Sequence, residues 1–170
     1  LVDMYAKCSA PDKARQVFVK LPARDVVSWT ALMRGYAHLG DSENVFSLFH
    51  DMLGQHIKPD PVTFIVVLST CSRTGLLSKS WTYFEAMSRD YGIIPVLEHY
   101  TCLVSLLGCA GYLDRALTVV EKMPLYPDNA LWRALIDGCQ RWGSVELGRK
   151  TFENAHGQQE MYPRIKNSFA

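Results

Sequence analysis

The sequence predicts an all-α protein, an α-solenoid of stacked helix-turn-helix repeats, and three observations carry the repeat architecture. Aromatic residues stand at Trp29, Phe64, Tyr100 and Trp132, at separations of 35, 36 and 32 residues. Glycines at Gly40, Gly75, Gly111 and Gly143 keep the same three separations. Apolar residues recur with helical spacing on either side of each glycine, so each repeat holds two amphipathic helices. Self-similarity at a period of roughly 20 to 50 residues marks an array whose units bury their apolar faces against one another.

Residues 26–60 show the unit most clearly. Trp29, Leu32, Met33 and Tyr36 fall at i, i+3, i+4 and i+7, one stripe of a first helix. Gly40 supplies a residue that tolerates the helix end, Asp41 or Ser42 can cap the next helix, and Glu43 adds negative charge to its first turn. A second stripe follows at Val45, Phe46, Phe49, Met52 and Leu53, and is expected to close at Lys58-Pro59-Asp60, because proline disfavours helix in the residue before it.

Taken in order, residues 1–25 form a truncated short repeat, with Phe18 in the place of Phe49 and Ser9 in the place of the recurrent glycine. Residue 1 is Leu and falls inside a helical pattern, so the chain reads as part of a longer protein with an apolar, exposed face near Leu1. Residues 26–60 are the second repeat. The third, 61–96, keeps Phe64, Gly75, Phe84 and Met87 in register. The fourth, 97–128, keeps Tyr100, Gly111, Leu113, Ala116 and Met123, and is shortened because its second helix meets Met123-Pro124. Residues 1–128 thus make one array. A further repeat-like unit, 129–162, carries Trp132, Leu135, Gly143 and Phe152, and 163–170 is a polar, proline-interrupted tail expected to fray. The aligned stripes predict that Trp29, Leu32, Phe49, Phe84, Leu103, Leu135 and Phe152 are buried.

Composition narrows the function classes. Hydrophobic residues make up 48% and charged residues 21% of the chain, ordinary for a globular protein, and a formal net charge of +1 gives no strong pull toward nucleic acid or acidic lipid. The longest apolar run, around 62–68, is far short of the roughly 20 residues needed to span a bilayer, so no membrane segment is expected. Cys8, Cys71, Cys102, Cys109 and Cys139 form no C-x-x-C pair and read as reduced thiols, with Cys71 and Cys139 at a repeat place expected to be buried. No histidine begins an H-x-E motif, and G-x-S-x-G and phosphate-binding glycine loops are missing from the sequence. The sequence therefore predicts no intrinsic catalysis, no metal and no cofactor.

The segments LVDMYAKC, DVVSWTAL, GY, GIIP-LEHY, LLG-AG and DNALW resemble plant pentatricopeptide repeat (PPR) proteins. The resemblance is to the PLS subfamily, in which short, standard and long repeats alternate, with an E-type unit after the last repeat. It implies a right-handed superhelix of hairpins that binds single-stranded RNA, one base per repeat, in the mitochondrion or chloroplast. It also implies a role in RNA editing or processing, positioning a transcript for a catalytic domain elsewhere in the protein or for an editing-complex protein or deaminase acting in trans. By pattern the competitor is the tetratricopeptide repeat, with W-x2-L-G-x2-Y; Trp29, Leu32 and Tyr36 fit it, but Met33 replaces its glycine. A protein-interaction scaffold of that kind, or a truncated product without activity, are the alternative functions.

In the family the fifth and last residues of a repeat face a base, and second residues of neighbouring repeats pack on its ring. Carried over, residues 26–60 offer Val27, Thr30 and Asp60. An ionised carboxylate only accepts hydrogen bonds, so Asp60 suits the ring N–H of guanine or uracil; threonine at the fifth place favours purines in this family, and together they imply guanine. Residues 97–128 offer the same pair, Thr101 and Asp128, but with Glu98 where an apolar residue is expected. Ile65 and Val96 have no hydrogen-bonding side chain, and Asp25 has lost its partner. The thirteenth places hold Lys7, His38, Arg73, Cys109 and Arg141, whose cations suit a phosphate track. Taken alone, the cations read equally as ones favoured at helix C-termini, whereas spacing alone favours Thr30 and Asp60 as a helix hydroxyl and a capping aspartate, and it is the family resemblance that makes them base readers.

Overall fold

The computed structural model describes residues 2–8, 10–151 and 153. Every regular element among them is helical, and they fall into two compact units, Leu1–Pro95 and Val96–Ala170. The first contains three hairpins: α1 (Val2–Lys7) with α2 (Pro11–Val19), α3 (Val26–His38) with α4 (Ser42–Gly54), and α5 (Pro61–Thr74) with α6 (Leu77–Arg89). The second contains α7 (Leu97–Cys109) with α8 (Leu113–Lys122), followed by α9 (Asn129–Arg141) and further helical residues at 145–151. None of these helices is long and apolar enough to cross a membrane.

The chain starts its first helices with one device. Asp25 caps α3 by accepting from the Ser28 N–H at 2.8 Å, while the Asp25 N–H donates to Ser28 Oγ at 3.0 Å. Asp60 and Thr63 repeat the exchange at α5, and at α7 the Val96 N–H donates to His99 Nδ1 at 3.0 Å. Each satisfies N–H groups that a helix start leaves without an intrahelical partner. Asp41, the expected cap, accepts from the Asn44 N–H and opens α4. The recurrent glycines mark the turns between helices because they adopt positive φ, 79° at Gly40 and 71° at Gly75.

One boundary differs from expectation. Helix α4 ends at Gly54, not at Lys58-Pro59. His56 takes a positive φ of 58°, its N–H donates to the Leu53 carbonyl, and the Ile57 N–H reaches back to Met52. That pair of bonds is a Schellman ending, which closes the helix before proline can act.

Within Leu1–Pro95, α3 lies between α1 and α5, and α2 and α4 cover its other side. Trp29, Leu32, Met33, Val45, Phe49, Met52 and Phe64 form the centre of the core. Successive hairpins repeat one aromatic contact: Phe18 meets Trp29 edge-on at 4.7 Å, and Phe49 meets Phe64 at 5.9 Å. Where α3 passes α1, a Cβ on Gly35 would lie 2.9 Å from the Ala6 Cβ. In the second unit α7 and α9 approach more closely still, backbone against backbone at Gly108 and Gly138.

Of the residues expected in the core, Trp29, Leu32, Phe49, Leu103 and Leu135 are buried. Phe84 is not; it is half-buried. On α6 the inward turns belong to Ser80 and Met87, and the bulkier Phe84 ring packs on the core from its rim beside the exposed Trp81. Phe152, Ser9, Leu1 and the tail lie outside the described residues.

Cys71 and Cys139 are buried, Cys102 is half-buried, and Cys8 and Cys109 are exposed. Burial pushes the Cys71 thiol from 9.0 up to about 11, and raises Cys139 for the same reason. Alkylation of the folded chain near pH 8 should therefore modify Cys8 and Cys109 readily and spare Cys71 and Cys139 until denaturant is added, as peptide mass mapping would show. The raised Cys71 also makes the folded state the better proton binder, so its contribution to stability is complete below pH 9 and is lost as pH rises toward 11.

Candidate functional site

The site grows from the junction between α4 and α5. Asp60 is the residue before α5, with Pro61 at the first helical position, where its missing N–H costs nothing. Asp60 Oδ1 accepts two bonds from Thr63, the N–H at 2.7 Å and the hydroxyl at 2.8 Å. Thr63 is fully buried, and its Oγ1 lies 2.8 Å from Thr30 Oγ1 on the neighbouring α3. One hydroxyl therefore links the threonine and the aspartate singled out from sequence.

These groups open onto a cavity of about 130 Å³. Val27, Thr30, Ala31 and Arg34 of α3 line it, with Asp60 and Val62 at the start of α5 and Asp3 of α1. Thr30 is only 4% exposed, whereas Val27 and Val62 are 65% and 39% exposed, large values for apolar side chains. The cavity thus has two exposed apolar side chains beside a nearly buried threonine and a half-buried aspartate. Lys7 holds Asp3 by a 2.7 Å ion pair and, with help from Arg34, keeps its carboxyl below the usual range.

Val27, Thr30 and Asp60 line the same cavity. Val62 was accessible to the sequence reading, being the second residue of the following repeat. Thr63 had a signal in the capping spacing from Asp60. Arg34 and Asp3 had none, since they meet only because successive first helices pack side by side.

The second pair is wired differently. Thr101 is half-buried and donates to the Leu97 carbonyl at 2.9 Å, and Asp128 Oδ1 accepts from the Leu131 N–H at 2.9 Å as the cap of α9. Leu131, fully buried, stands where Thr63 stands in the first pair, so no hydroxyl at that place joins Thr101 to Asp128. Glu98 is exposed.

Lys7, His38, Arg73 and Arg141 all stand in the last turn of a first helix, where positive charge is favoured. Two of them already have partners. Lys7 is paired with Asp3, and the Arg73 guanidinium donates to the Ala37 carbonyl at the end of α3. For Arg73 the expectation of a phosphate contact meets a competing structural role, joining two successive repeats; His38 and Arg141 are exposed.

The fold and site define a class: a helical-hairpin repeat protein with a lined cavity where successive first helices meet. Residues 24–73 match the family described as the PPR repeat family, and residues 98–125 match the PPR repeat. Pentatricopeptide repeat-containing protein At2g13600 of Arabidopsis thaliana is 40% identical over all of this chain and 25% of its own length. The chloroplastic At5g50390 is 41% identical over 92% of this chain and 22% of its length, and the mitochondrial At1g06140 39% identical over 99% and 31%. The chain belongs among the plant pentatricopeptide repeat proteins, and spans about a quarter to a third of the length of these relatives.

Solved structures agree on the fold. The pentatricopeptide repeat protein PPR10, in complex with an 18-nt psaJ RNA element, superposes with a TM-score of 0.77 over 94% of this chain and 24% of that one, at 23% identity. The PPR domain of Arabidopsis thaliana protein-only RNase P 1, in complex with tRNA, gives 0.70 over 98% and 95%, at 18% identity. At such identities the likeness speaks for the α-solenoid fold alone.

Proposed function

We propose that the chain binds single-stranded RNA and that residues 26–60 read one base, guanine, with Thr30 and Asp60. The observation that carries this is the cavity: two exposed valines suited to the faces of a ring stand beside a nearly buried threonine and a half-buried aspartate suited to its edge. PPR10 and the RNase P domain, both solved with RNA, lend support through their shared fold. Thr101 and Asp128 are a second reading pair, weaker because Glu98 replaces the apolar residue. Arg141, exposed, is the cation freest to meet phosphates and the exposed His38 can donate a hydrogen bond to one, with Lys7 and Arg73 contributing if their present bonds open.

On this reading the repeats run 1–25, 26–60, 61–96 and 97–128 in the PLS manner, and 129–162 is the E-type unit. The protein positions an organellar transcript, in mitochondrion or chloroplast, for editing or processing by a catalytic partner. Relatives named chloroplastic and mitochondrial support the compartment.

Binding by this chain alone should be weak. A stacked base contributes about 1–3 kcal/mol, and few such contacts barely exceed the cost of ordering the strand. The test is competition among penta-uridylates carrying guanine, adenine, cytosine or uracil at the centre. The expected result is micromolar or weaker binding with guanine preferred; equal affinity for all four, or none, overturns the assignment of Thr30 and Asp60.

A further inference from the structure

The polar groups of the cavity are not independent of one another. Thr63 has a single hydroxyl proton, and the Asp60 carboxylate, which can only accept, lies 2.8 Å away. That proton belongs to Asp60. Toward its other neighbours Thr63 Oγ1 can then only accept, and it does so from the Asp60 N–H at 3.3 Å. The remaining neighbour is Thr30 Oγ1 at 2.8 Å, so Thr30 must be the donor in that bond. With its proton directed inward, Thr30 has only lone pairs left for the cavity.

We propose that Thr63 is a specificity-determining positioning residue: its buried hydroxyl makes Thr30 an obligate acceptor, so that Thr30 and Asp60 together admit only a base edge with two adjacent donors. The proposal rests on the reading that this pair faces a base, and it adds what the pair alone lacks. Asp60 by itself accepts from the ring N–H of either guanine or uracil. Two acceptors side by side separate them, because guanine offers N1–H beside its N2 amino group, whereas uracil offers N3–H flanked by carbonyl oxygens. Adenine and cytosine each bring an unprotonated ring nitrogen, which would meet a lone pair with a lone pair. In the second pair, Leu131 removes this coupling, although the two reading residues are the same.

Thr63 is fully buried and does not line the cavity, so its test must separate selectivity from fold. Thr63→Val keeps the shape and removes the hydroxyl, while the backbone N–H still caps through Asp60 Oδ1. Thr63→Ser keeps the hydroxyl. In the penta-uridylate competition the wild-type chain should prefer guanine over uracil by about tenfold. Thr63→Val should reduce that ratio to about twofold while leaving affinity for the all-uracil strand within about twofold, and Thr63→Ser should restore it. Thermal unfolding of each variant checks the fold.

A ratio unchanged in a folded Thr63→Val chain overturns the proposal, as does an equal loss for every base. A wild-type chain with no guanine preference overturns the reading of Thr30 and Asp60 first, and the proposal with it. Should Thr63→Val not fold, proton NMR of the wild-type chain decides: the Thr63 hydroxyl proton should exchange slowly with solvent, and rapid exchange would overturn the committed hydrogen bond.

Discussion

Replacing Gly138 with alanine is expected to destabilise the chain by about 2 kcal/mol, even though alanine is the better helix former by about 1 kcal/mol. A Cβ at this position would lie 2.8 Å from the Gly108 Cα and 3.2 Å from a methyl of Leu113. The first of these is backbone and cannot swing aside, so α7 and α9 must separate. Separation is costly because the same crossing packs Leu103, Leu106, Leu131 and Leu135, all essentially buried, and carries the bond from Trp142 Nε1 to the Gly108 carbonyl at 3.0 Å. Close-packed interiors do not absorb an added methyl without strain. Gly54→Ala is the control: nothing lies within 4 Å of a Cβ there, and that change should be neutral or stabilising by up to about 0.5 kcal/mol. For a unit this small, 2 kcal/mol corresponds to a drop of roughly 10 °C in melting temperature. Equal melting curves for Gly138→Ala and wild type would mean that the two helices are not held at this distance.

Residues whose environment is set within one repeat were legible in the sequence, and those set between repeats were largely not. The stripe Trp29, Leu32, Met33 and Tyr36 is buried because helical spacing sets these apolar side chains on one face of α3, which can be read without knowing its neighbours. Asp41 caps α4 for equally local reasons. Phe84 has the right spacing, but its degree of burial depends on the room left by Ser80 and Met87. The ending of α4 carries no glycine signal, because His56 takes the left-handed conformation in its place. Arg73 satisfies its charge on a carbonyl of the preceding repeat, and Arg34 meets Asp3 and Asp60 only across helix boundaries. Capping by Asp60 uses Oδ1, so it does not by itself exclude a base contact through Oδ2.

That division of labour makes Asp60→Asn an informative substitution, expected to move the base preference at residues 26–60 from guanine to adenine. Asparagine caps helices as well as aspartate does, so α5 should start where it does now. The two donors from Thr63, at 2.7 and 2.8 Å, select the amide oxygen for the position of Oδ1. The amide NH₂ is then forced into the place of Oδ2, and the cavity exchanges one acceptor for a donor while nearly keeping its shape. Guanine N1–H would now face a donor, whereas the unprotonated N1 of adenine would gain one and its amino group could still reach the Thr30 lone pairs. By analogy with bidentate base contacts in duplex DNA, a wrong base should cost about 1–3 kcal/mol, so the guanine-to-adenine ratio should change by about tenfold or more. The measurement is the same four-way competition, with circular dichroism and thermal unfolding to show that the helices are retained. If the variant is folded, binds the all-uracil strand as before and still prefers guanine, then Thr30 and Asp60 are cap and core only, and the RNA is read elsewhere.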